Sequence, residues 1–407
     1  MLLHFPPVHQ VPGDSTATQV QVPPPTPLAI RYYRTGNVLW TIDTAVGLAL
    51  PMILLFSGLS ARLRTAALRL GRRWLPAAML YAIFFTLLYA LITLPLAYYE
   101  GFVRPHVFGL SDQSLHKWLS DTAKATGLAA LGMALVLWIP YLLLRRSPRR
   151  WWLYAGLTTL PIATFLLIVS PVWIDPLFNQ FGRLRDRALE AQILALADRA
   201  GIPGSRVYEV RKSVDTKTVN AYVTGVGATK RIVLWDTILA RLNPDQIAFV
   251  VGHEMGHFVL HHVLAIIIGS TLVVTLSLYA VHRLAGGAIE RYRDRFGFDR
   301  LSDVASFPLL LLLGGVVSLL VSPAVLAYSR HQEHEADRFG LELTRDNRAA
   351  ASTFVKLQEQ NLNVPRPGPV YTLLRASHPS LGDRVDFANS YRPWATGEPL
   401  RYGRLFR

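Results

Sequence analysis

Two histidines four residues apart, with a glutamate directly after the first, are the residues best suited to chemistry in this chain. The stretch reads His253-Glu254-Met255-Gly256-His257. Residues four apart share one face of a helix, so both imidazoles could hold a single zinc ion. Glu254 would lie beside the metal and could take a proton from a zinc-bound water. The pattern also occurs in helices that bind no metal, so the surrounding sequence has to decide.

The helix that carries this motif is predicted to begin at Asn243-Pro244-Asp245. Asparagine is a frequent N-cap, proline fits the first helical position, and an acid suits the positive end of the helix dipole. No helix breaker separates this start from the motif, and a long apolar run follows from Val263. We therefore expect the motif on a helix that is aimed into the bilayer, with His261 and His262 continuing it as residues that are not ligands.

A catalytic zinc site needs a third protein ligand, which here must be histidine or carboxylate because the chain has no cysteine. Spacing leaves four candidates, which are His331, Glu333, His334 and Glu335. Glu333 and Asp337 would share a helix face, as suits a ligand carboxylate and a second acid that holds the ring N–H of a ligand histidine. The ordinary alternative is a solvated charged helix. A position on the same side of the membrane as the first motif favours the metal site.

Long charge-free blocks hold much of the hydrophobic content, which is 51% of the 407 residues. Such blocks are typical of an α-helical integral membrane protein. The predicted spans are Val38–Gly58, Trp74–Tyr99, Ala125–Leu144, Trp151–Ile174, Val263–Val281 and Val304–Tyr328. Asp43 lies inside the first span, near its end, where an interfacial hydrogen-bonding role is favoured over a functional one.

The predicted organisation has five parts. They are a Pro-rich tail (1–36), a four-span membrane region (37–174), a protease segment with the motif (175–262), a two-span membrane hairpin (263–328) and a second protease segment (329–407). Because an even number of crossings separates the two soluble segments, they lie on one side and can form a single α+β zinc-metalloprotease domain. Its predicted elements are helices at Arg187–Arg199 and Asn347–Asn361 and strands at Val207–Val210, Asn220–Val223 and Ile232–Trp235, with a turn at Gly225–Gly227.

The formal net charge of +15 comes largely from arginines that flank the apolar blocks. This placement is typical of membrane flanks and argues against nucleic-acid binding, for which no aromatic-basic motif is present. Arginine-rich loops at 62–73, 145–150 and 283–300 all fall on one side of the predicted topology. The positive-inside rule places those loops in the cytoplasm, and hence the protease face on the extracytoplasmic side of a cell membrane.

The two motifs in order, His-Glu-x-Gly-His and then Ser-Arg-x-x-Glu-x-x-Ala-Asp after two spans, resemble the integral-membrane CAAX prenyl endopeptidases, zinc proteases of the gluzincin type. Further stretches resemble the same family, namely Pro176–Asn179, Asn220–Tyr222, Lys230–Thr237 and Ser377-His378-Pro379 with Arg384. The resemblance implies His253, His257 and Glu333 as zinc ligands and Glu254 as general base. It also implies that Asp337 orients a ligand, that His378 and Arg384 lie near the substrate and the developing oxyanion, and that Asn220, Ala221 and Tyr222 form a substrate-binding edge strand.

The sequence departs from this family at His334, where the family commonly has an aromatic residue, and in its number of spans. The family usually has seven spans, whereas six are predicted here, and the missing one corresponds to the family's first.

The function expected from the sequence is that of a membrane-embedded zinc metalloendopeptidase that hydrolyses peptide bonds by Glu-assisted attack of zinc-bound water. Its partners would be the lipid bilayer and peptide or membrane-protein substrates, with or without a lipid. A quality-control protease for membrane proteins is the alternative enzyme. A non-catalytic metal-binding transporter or scaffold is the alternative of another class, and it predicts a closed site with four protein ligands.

Overall fold

The computed structural model describes residues 19–225 and 230–407 of the chain. Within these residues, six helices are long and apolar enough to cross a membrane, as predicted. They are Pro27–Phe56, Trp74–Val107, Leu115–Arg146, Trp151–Phe178, His262–Phe296 and Val304–Thr344. The rest of the described chain forms a small mixed sheet with helices around it, so the fold class expected from the sequence is confirmed.

The first membrane region contains nine helical segments, because proline and π-helical turns interrupt its long helices. They are α1 (Pro27–Phe56), α2 (Leu59–Gly71), α3 (Trp74–Tyr98), α4 (Arg104–Val107), α5 (Leu115–Val136), α6 (Trp138–Arg146), α7 (Trp151–Leu157), α8 (Thr159–Val169) and α9 (Asp175–Phe178). The π-helical turns lie at Tyr99–Val103 and Ser170–Ile174. α2 is a short basic helix between the first two spans.

The boundary of the N-terminal tail differs from the prediction. The tail was expected to reach residue 36, but α1 begins at Pro27, where the Thr26 hydroxyl accepts a hydrogen bond from the Ala29 N–H and proline occupies the first turn. Before it, residues 19–26 form neither helix nor strand and lie against the C-terminal part of the chain. Val20 and the Asn389 amide exchange two hydrogen bonds of 3.1 and 2.9 Å.

The sheet has four strands, β1 (Phe181–Arg183), β2 (Arg206–Val210), β3 (Ala221–Thr224) and β4 (Arg231–Trp235). Their order is β1-β2-β4-β3, with β2 and β4 parallel and the outer pairs antiparallel. The three predicted strands are present, β1 is additional, and the predicted turn at Gly225–Gly227 lies largely outside the described residues. Helix α10 (Arg187–Arg199) follows β1 with the bounds expected from the sequence, and α11 (Asp236–Leu239) follows β4.

The motif helix and the next membrane helix are separate, contrary to the expectation of one continuous helix. α12 (Pro244–Val259) ends before His261, whose left-handed backbone (φ 57°) turns the chain, and α13 (His262–Phe296) begins at the next residue. α13 continues well past the predicted end at Val281. Four of the five arginines assigned to a loop, Arg283, Arg291, Arg293 and Arg295, therefore lie on this helix.

The second soluble segment begins without a break. α14 (Phe307–Thr344) follows a short 3₁₀ turn (Val304–Ser306) and runs unbroken from the membrane region through Glu333 and Asp337. The remaining helices are α15 (Asn347–Gln360), α16 (Pro369–Leu374), α17 (Leu381–Ser390), α18 (Pro393–Thr396) and a 3₁₀ turn at Gly403–Leu405.

Close packing of α12 on α14 joins the two soluble segments. A Cβ at Gly340 of α14 would lie 3.0 Å from the His253 backbone nitrogen, so glycine permits this close approach. Phe339 and Leu343 of α14 share one apolar core with Val251 and Met255 of α12. The two segments thus form one core that supports the metal-binding motif.

Candidate metal centre

Helix α12 holds the two motif histidines on one face. Asn243 caps it, and the capping box with Gln246 fixes its first turn. The Nε2 atoms of His253 and His257 are 3.2 Å apart. His253 is 7% exposed, so its ring is held by the surrounding core.

Glu333 of α14 completes a group of three candidate metal ligands. Its Oε2 lies 3.3 Å from His253 Nε2, and its Oε1 lies 3.4 Å from His257 Nε2. One ligand atom from each residue falls within 4.8 Å of the others, and no other such group of three was found in the described residues. The buried Glu333 Oε2 makes no hydrogen bond to the part of the chain that the structure describes. Two imidazoles and one carboxylate around a shared point fit a catalytic zinc with its fourth position open.

The other three candidates for the third ligand do not join this group. His331 is exposed. The His334 ring packs against Phe387 at 4.3 Å, and Glu335 pairs with Arg338 at 2.5 Å. Of the four candidates that spacing leaves open, Glu333 is the one that lies with both motif histidines.

Asp337 lies behind His253, one helical turn after Glu333. His253 Nδ1 donates a 2.8 Å hydrogen bond to Asp337 Oδ1, which leaves the Nε2 lone pair directed at the metal position. Burial alone would lower the pKa of His253, but the hydrogen bond to Asp337 and the nearby Glu333 carboxylate raise it to about 10 in the metal-free protein. The geometry agrees with the orienting role expected for Asp337.

Arg384 lines the cavity beside the centre, where it was expected, and its guanidinium is paired with Asp337. Its Nε and Nη2 donate to the two Asp337 oxygens at 2.8 and 2.6 Å. Both residues are almost fully buried, and the Arg384 guanidinium carbon lies 4.3 Å from the ring centre of Phe354. Arg384 thus contributes a cation that neutralises Asp337, the acid behind His253.

His378 lies on the accessible side of the centre, and Glu254 is a half-buried residue between the two ligand histidines in sequence. His378 Nε2 is 3.3 Å from Glu333 Oε2, and its Nδ1 is 2.8 Å from the Ser377 hydroxyl oxygen. The His378 side chain is 55% exposed and borders a cavity of about 700 Å³ that Asp43 and Glu100 also line. Burial raises the pKa of Glu254 above its ordinary value, opposed by the neighbouring His253 and His257.

Strand β3 places the expected substrate segment at an edge of the sheet, although the strand begins at Ala221 and not at Asn220. Trp235 N–H donates to the Asn220 carbonyl at 3.2 Å, which makes these two residues a hydrogen-bonded pair. By alternation, Ala221 and Val223 direct their backbone groups away from β4. The Asn220 side chain accepts from Ala221 N–H at 2.9 Å, so Val223 is left with its N–H facing the open edge.

Comparison with known proteins gives a consistent result. A model of peptidase family M48 matches residues 183–392, and a model described as CAAX prenyl protease N-terminal, five membrane helices, matches residues 29–180. In the stretch that the second model matches, four helices could cross a membrane.

Similar proteins cover most of the chain. The uncharacterized metalloprotease YhfN of Bacillus subtilis is 37% identical over 89% of this chain and 86% of its own length. CAAX prenyl protease 1 of Saccharomyces cerevisiae is 29% identical over 72% of this chain and 68% of its own length. The crystal structure of S. mikatae Ste24p aligns with a TM-score of 0.76 at 24% identity, covering 88% of this chain and 87% of that chain. The last comparison shows a shared fold.

Proposed function

The chain belongs to peptidase family M48, and from this premise we propose that its metal centre cleaves internal peptide bonds of extended segments presented at the membrane. It is a multi-pass membrane protein and a zinc metalloprotease. The observation that supports this proposal most is the convergence of His253, His257 and Glu333 from two soluble segments beside an open cavity.

The residues around the centre divide the chemistry between them. Zinc, when bound by His253, His257 and Glu333, supplies Lewis acidity to the attacking water and the scissile carbonyl. Glu254 accepts the proton of that water and returns it to the leaving amine, for which a half-buried carboxylate of raised pKa is suited. His378 donates a hydrogen bond to the oxyanion that develops, a contribution of about 3 kcal/mol for comparable donors.

Asp337 and Arg384 act on the ligand histidine His253. Asp337 fixes the His253 tautomer, and Arg384 keeps Asp337 ionised and immobile. We assign the oxyanion to His378 and not to Arg384, because two of the three guanidinium nitrogen atoms of Arg384 donate to Asp337.

The substrate pairs with β3 as an added strand. Val223 N–H and the outward carbonyls of Ala221 and Val223 offer main-chain partners to an extended peptide, and such pairing requires no particular side chain in the substrate. Curated relatives named CAAX prenyl protease 1 suggest C-terminal peptides of lipid-bearing proteins as one substrate class. Unfolded membrane proteins are the other class. Comparing the cleavage of a farnesylated CaaX peptide with the cleavage of an unfolded membrane protein distinguishes the two classes.

The catalytic face is extracytoplasmic in our proposal. α13 begins beside the centre at His262 and ends at Phe296, and 35 residues at 1.5 Å each reach about 50 Å, more than a bilayer core. The arginines of α2, the 145–150 loop and the end of α13 are at the other ends of the membrane helices, which the positive-inside rule places in the cytoplasm. A reporter that works only in the cytoplasm can be fused to the C-terminus. Activity of this reporter would contradict the proposed orientation.

The test uses the full chain in detergent and its Glu254→Gln variant. We expect the variant to retain zinc, measured by mass spectrometry of the metal, and to lose peptide cleavage. Mass spectrometry of peptides trapped by this variant in native membranes then identifies the substrate class. Full activity of Glu254→Gln would refute the proposed mechanism, and a zinc-loaded wild-type protein that cleaves neither substrate class would refute cleavage of these segments.

A further inference from the structure

A second cavity, of about 760 Å³, lies at the arginine-rich end of the membrane helices. It is bordered by the end of α6, the start of α7, the C-terminal half of α13 and the segment 299–302. This region is remote in sequence from the metal ligands, and the proposed reaction gives it no role.

One wall of this cavity is apolar and fixed. Leu144, Trp151 and Ile289 contribute to it, and Trp151 is only 1% exposed. The Trp151 indole N–H donates to His282 Nδ1 at 3.2 Å, which holds the ring in place. Gly286 borders open space, since a Cβ there would meet no atom within 4 Å.

The rim carries guanidinium groups whose charge the protein neutralises only weakly. Within the described residues, Arg145 has no carboxylate within 4.0 Å, and its guanidinium carbon lies 4.7 Å from the Trp74 ring centre. Arg293 is 3.9 Å from the exposed Asp294. Arg300 pairs with the adjacent Asp299, and both of these side chains are exposed. Glu290 and Asp299 also line the cavity and offset part of the charge of its arginines. The small positive charge that remains suits a single phosphate and not a polyanion.

We propose that this cavity binds the phosphodiester headgroup of a membrane phospholipid. An arginine guanidinium can donate two parallel hydrogen bonds to phosphate oxygens. Basic pockets between membrane helices bind lipid headgroups through the same interaction. The glycerol and the first acyl carbons cover the Leu144–Trp151 wall, which a free phosphate ion would leave uncovered. The lipid acts as a structural ligand of α6, α7 and α13.

Native mass spectrometry of the full chain, titrated with dioleoyl-phosphatidylglycerol in a non-ionic detergent, tests the proposal. We expect one tightly bound lipid on the wild-type protein. The double variant Arg145→Ala and Arg293→Ala should bind it roughly thirtyfold more weakly, because each arginine near a lipid headgroup contributes about one kcal/mol. The matched control, Arg149→Ala and Arg150→Ala, removes two arginines of the neighbouring loop that do not line the cavity and should bind as the wild type does.

A second variant separates the cavity from general electrostatic attraction. Gly286→Leu fills the space, keeps every arginine and should lose the bound lipid while retaining zinc. Dioleoylglycerol, which has the same tails without phosphate, should not occupy the site. Equal weakening in the Arg149/Arg150 control, or wild-type binding by Gly286→Leu, would overturn the proposal. Displacement of the lipid by an equal concentration of inorganic phosphate would assign the cavity to a free anion and overturn the lipid.

Discussion

His262 Nδ1 lies 3.0 Å from Nδ1 of the candidate ligand His257. The contact depends on His261, whose left-handed backbone turns the chain between α12 and α13. A non-glycine residue in this conformation is uncommon, and here it brings a histidine that is 8% exposed back against the metal centre. If His257 uses Nε2 for the metal, its Nδ1 carries the proton, and His262 accepts it in a hydrogen bond.

Replacing His262 with alanine should therefore weaken zinc binding about tenfold, since partners that orient a ligand histidine commonly have effects of that size. Competition with a chromophoric chelator on the metal-free protein measures this affinity. His262→Asn should restore part of it, because the amide oxygen can accept the same proton. The exposed His261 serves as a control: His261→Asn, which tolerates the left-handed backbone, should leave affinity unchanged. Unaltered zinc affinity in His262→Ala would contradict this role.

The buried pair of Asp337 and Arg384 should show strong energetic coupling. Asp337→Asn leaves the Arg384 guanidinium buried without its counter-charge, a change that costs about 3 kcal/mol or more in comparable pairs. Arg384→Met leaves the carboxylate in the same state, whereas the double variant removes both charges. Thermal denaturation of the detergent-solubilised proteins should show a smaller loss for the double variant than for the two singles added. Additive losses would mean that the pair does not act as a unit.

Much of the site could be predicted because local spacing determines it. The i, i+4 spacing of His253 and His257 and the Asn243-Pro244 start define one helix face, and the same spacing relates Glu333 to Asp337. Hydrophobic blocks of membrane length similarly determine the six spans. These features need only helix geometry and residue type.

Other features depend on tertiary contacts that leave little trace in the sequence. Nothing local marks the end of α12 at Val259 or the left-handed backbone of His261 that precedes α13. Arg384 is remote in sequence from Asp337, so its pairing with that acid could not be derived from spacing. α13 extends past Val281 because its basic end packs Phe296 and Ile289 against α1, although its composition there resembles a loop.

If Glu333 is the third ligand, its replacement should remove zinc, and replacement of neighbouring candidates should not. Glu333→Gln should lose zinc because a neutral amide replaces the only carboxylate of the group. His331→Ala should keep it, since that histidine is exposed. Glu335→Gln should also keep zinc but denature at a lower temperature, because Glu335 pairs with Arg338 and accepts from the Tyr402 hydroxyl. Metal analysis after dialysis distinguishes the three variants, and zinc loss in Glu335→Gln alone would reassign the ligand.

Strand β3 offers the most specific test of substrate binding. Val223→Pro removes the one backbone N–H that faces the open edge and leaves the ladder to β4 intact, since an edge strand tolerates proline at an outward position. The expected result is a rise in KM or a fall in kcat/KM of about five- to tenfold, as for one lost hydrogen bond of about 1 kcal/mol, with zinc content unchanged. Val223→Ala keeps the N–H and controls for the side chain. An unchanged kcat/KM in Val223→Pro would mean that substrates do not extend the sheet, and a loss equal to that of Val223→Ala would assign the effect to the side chain.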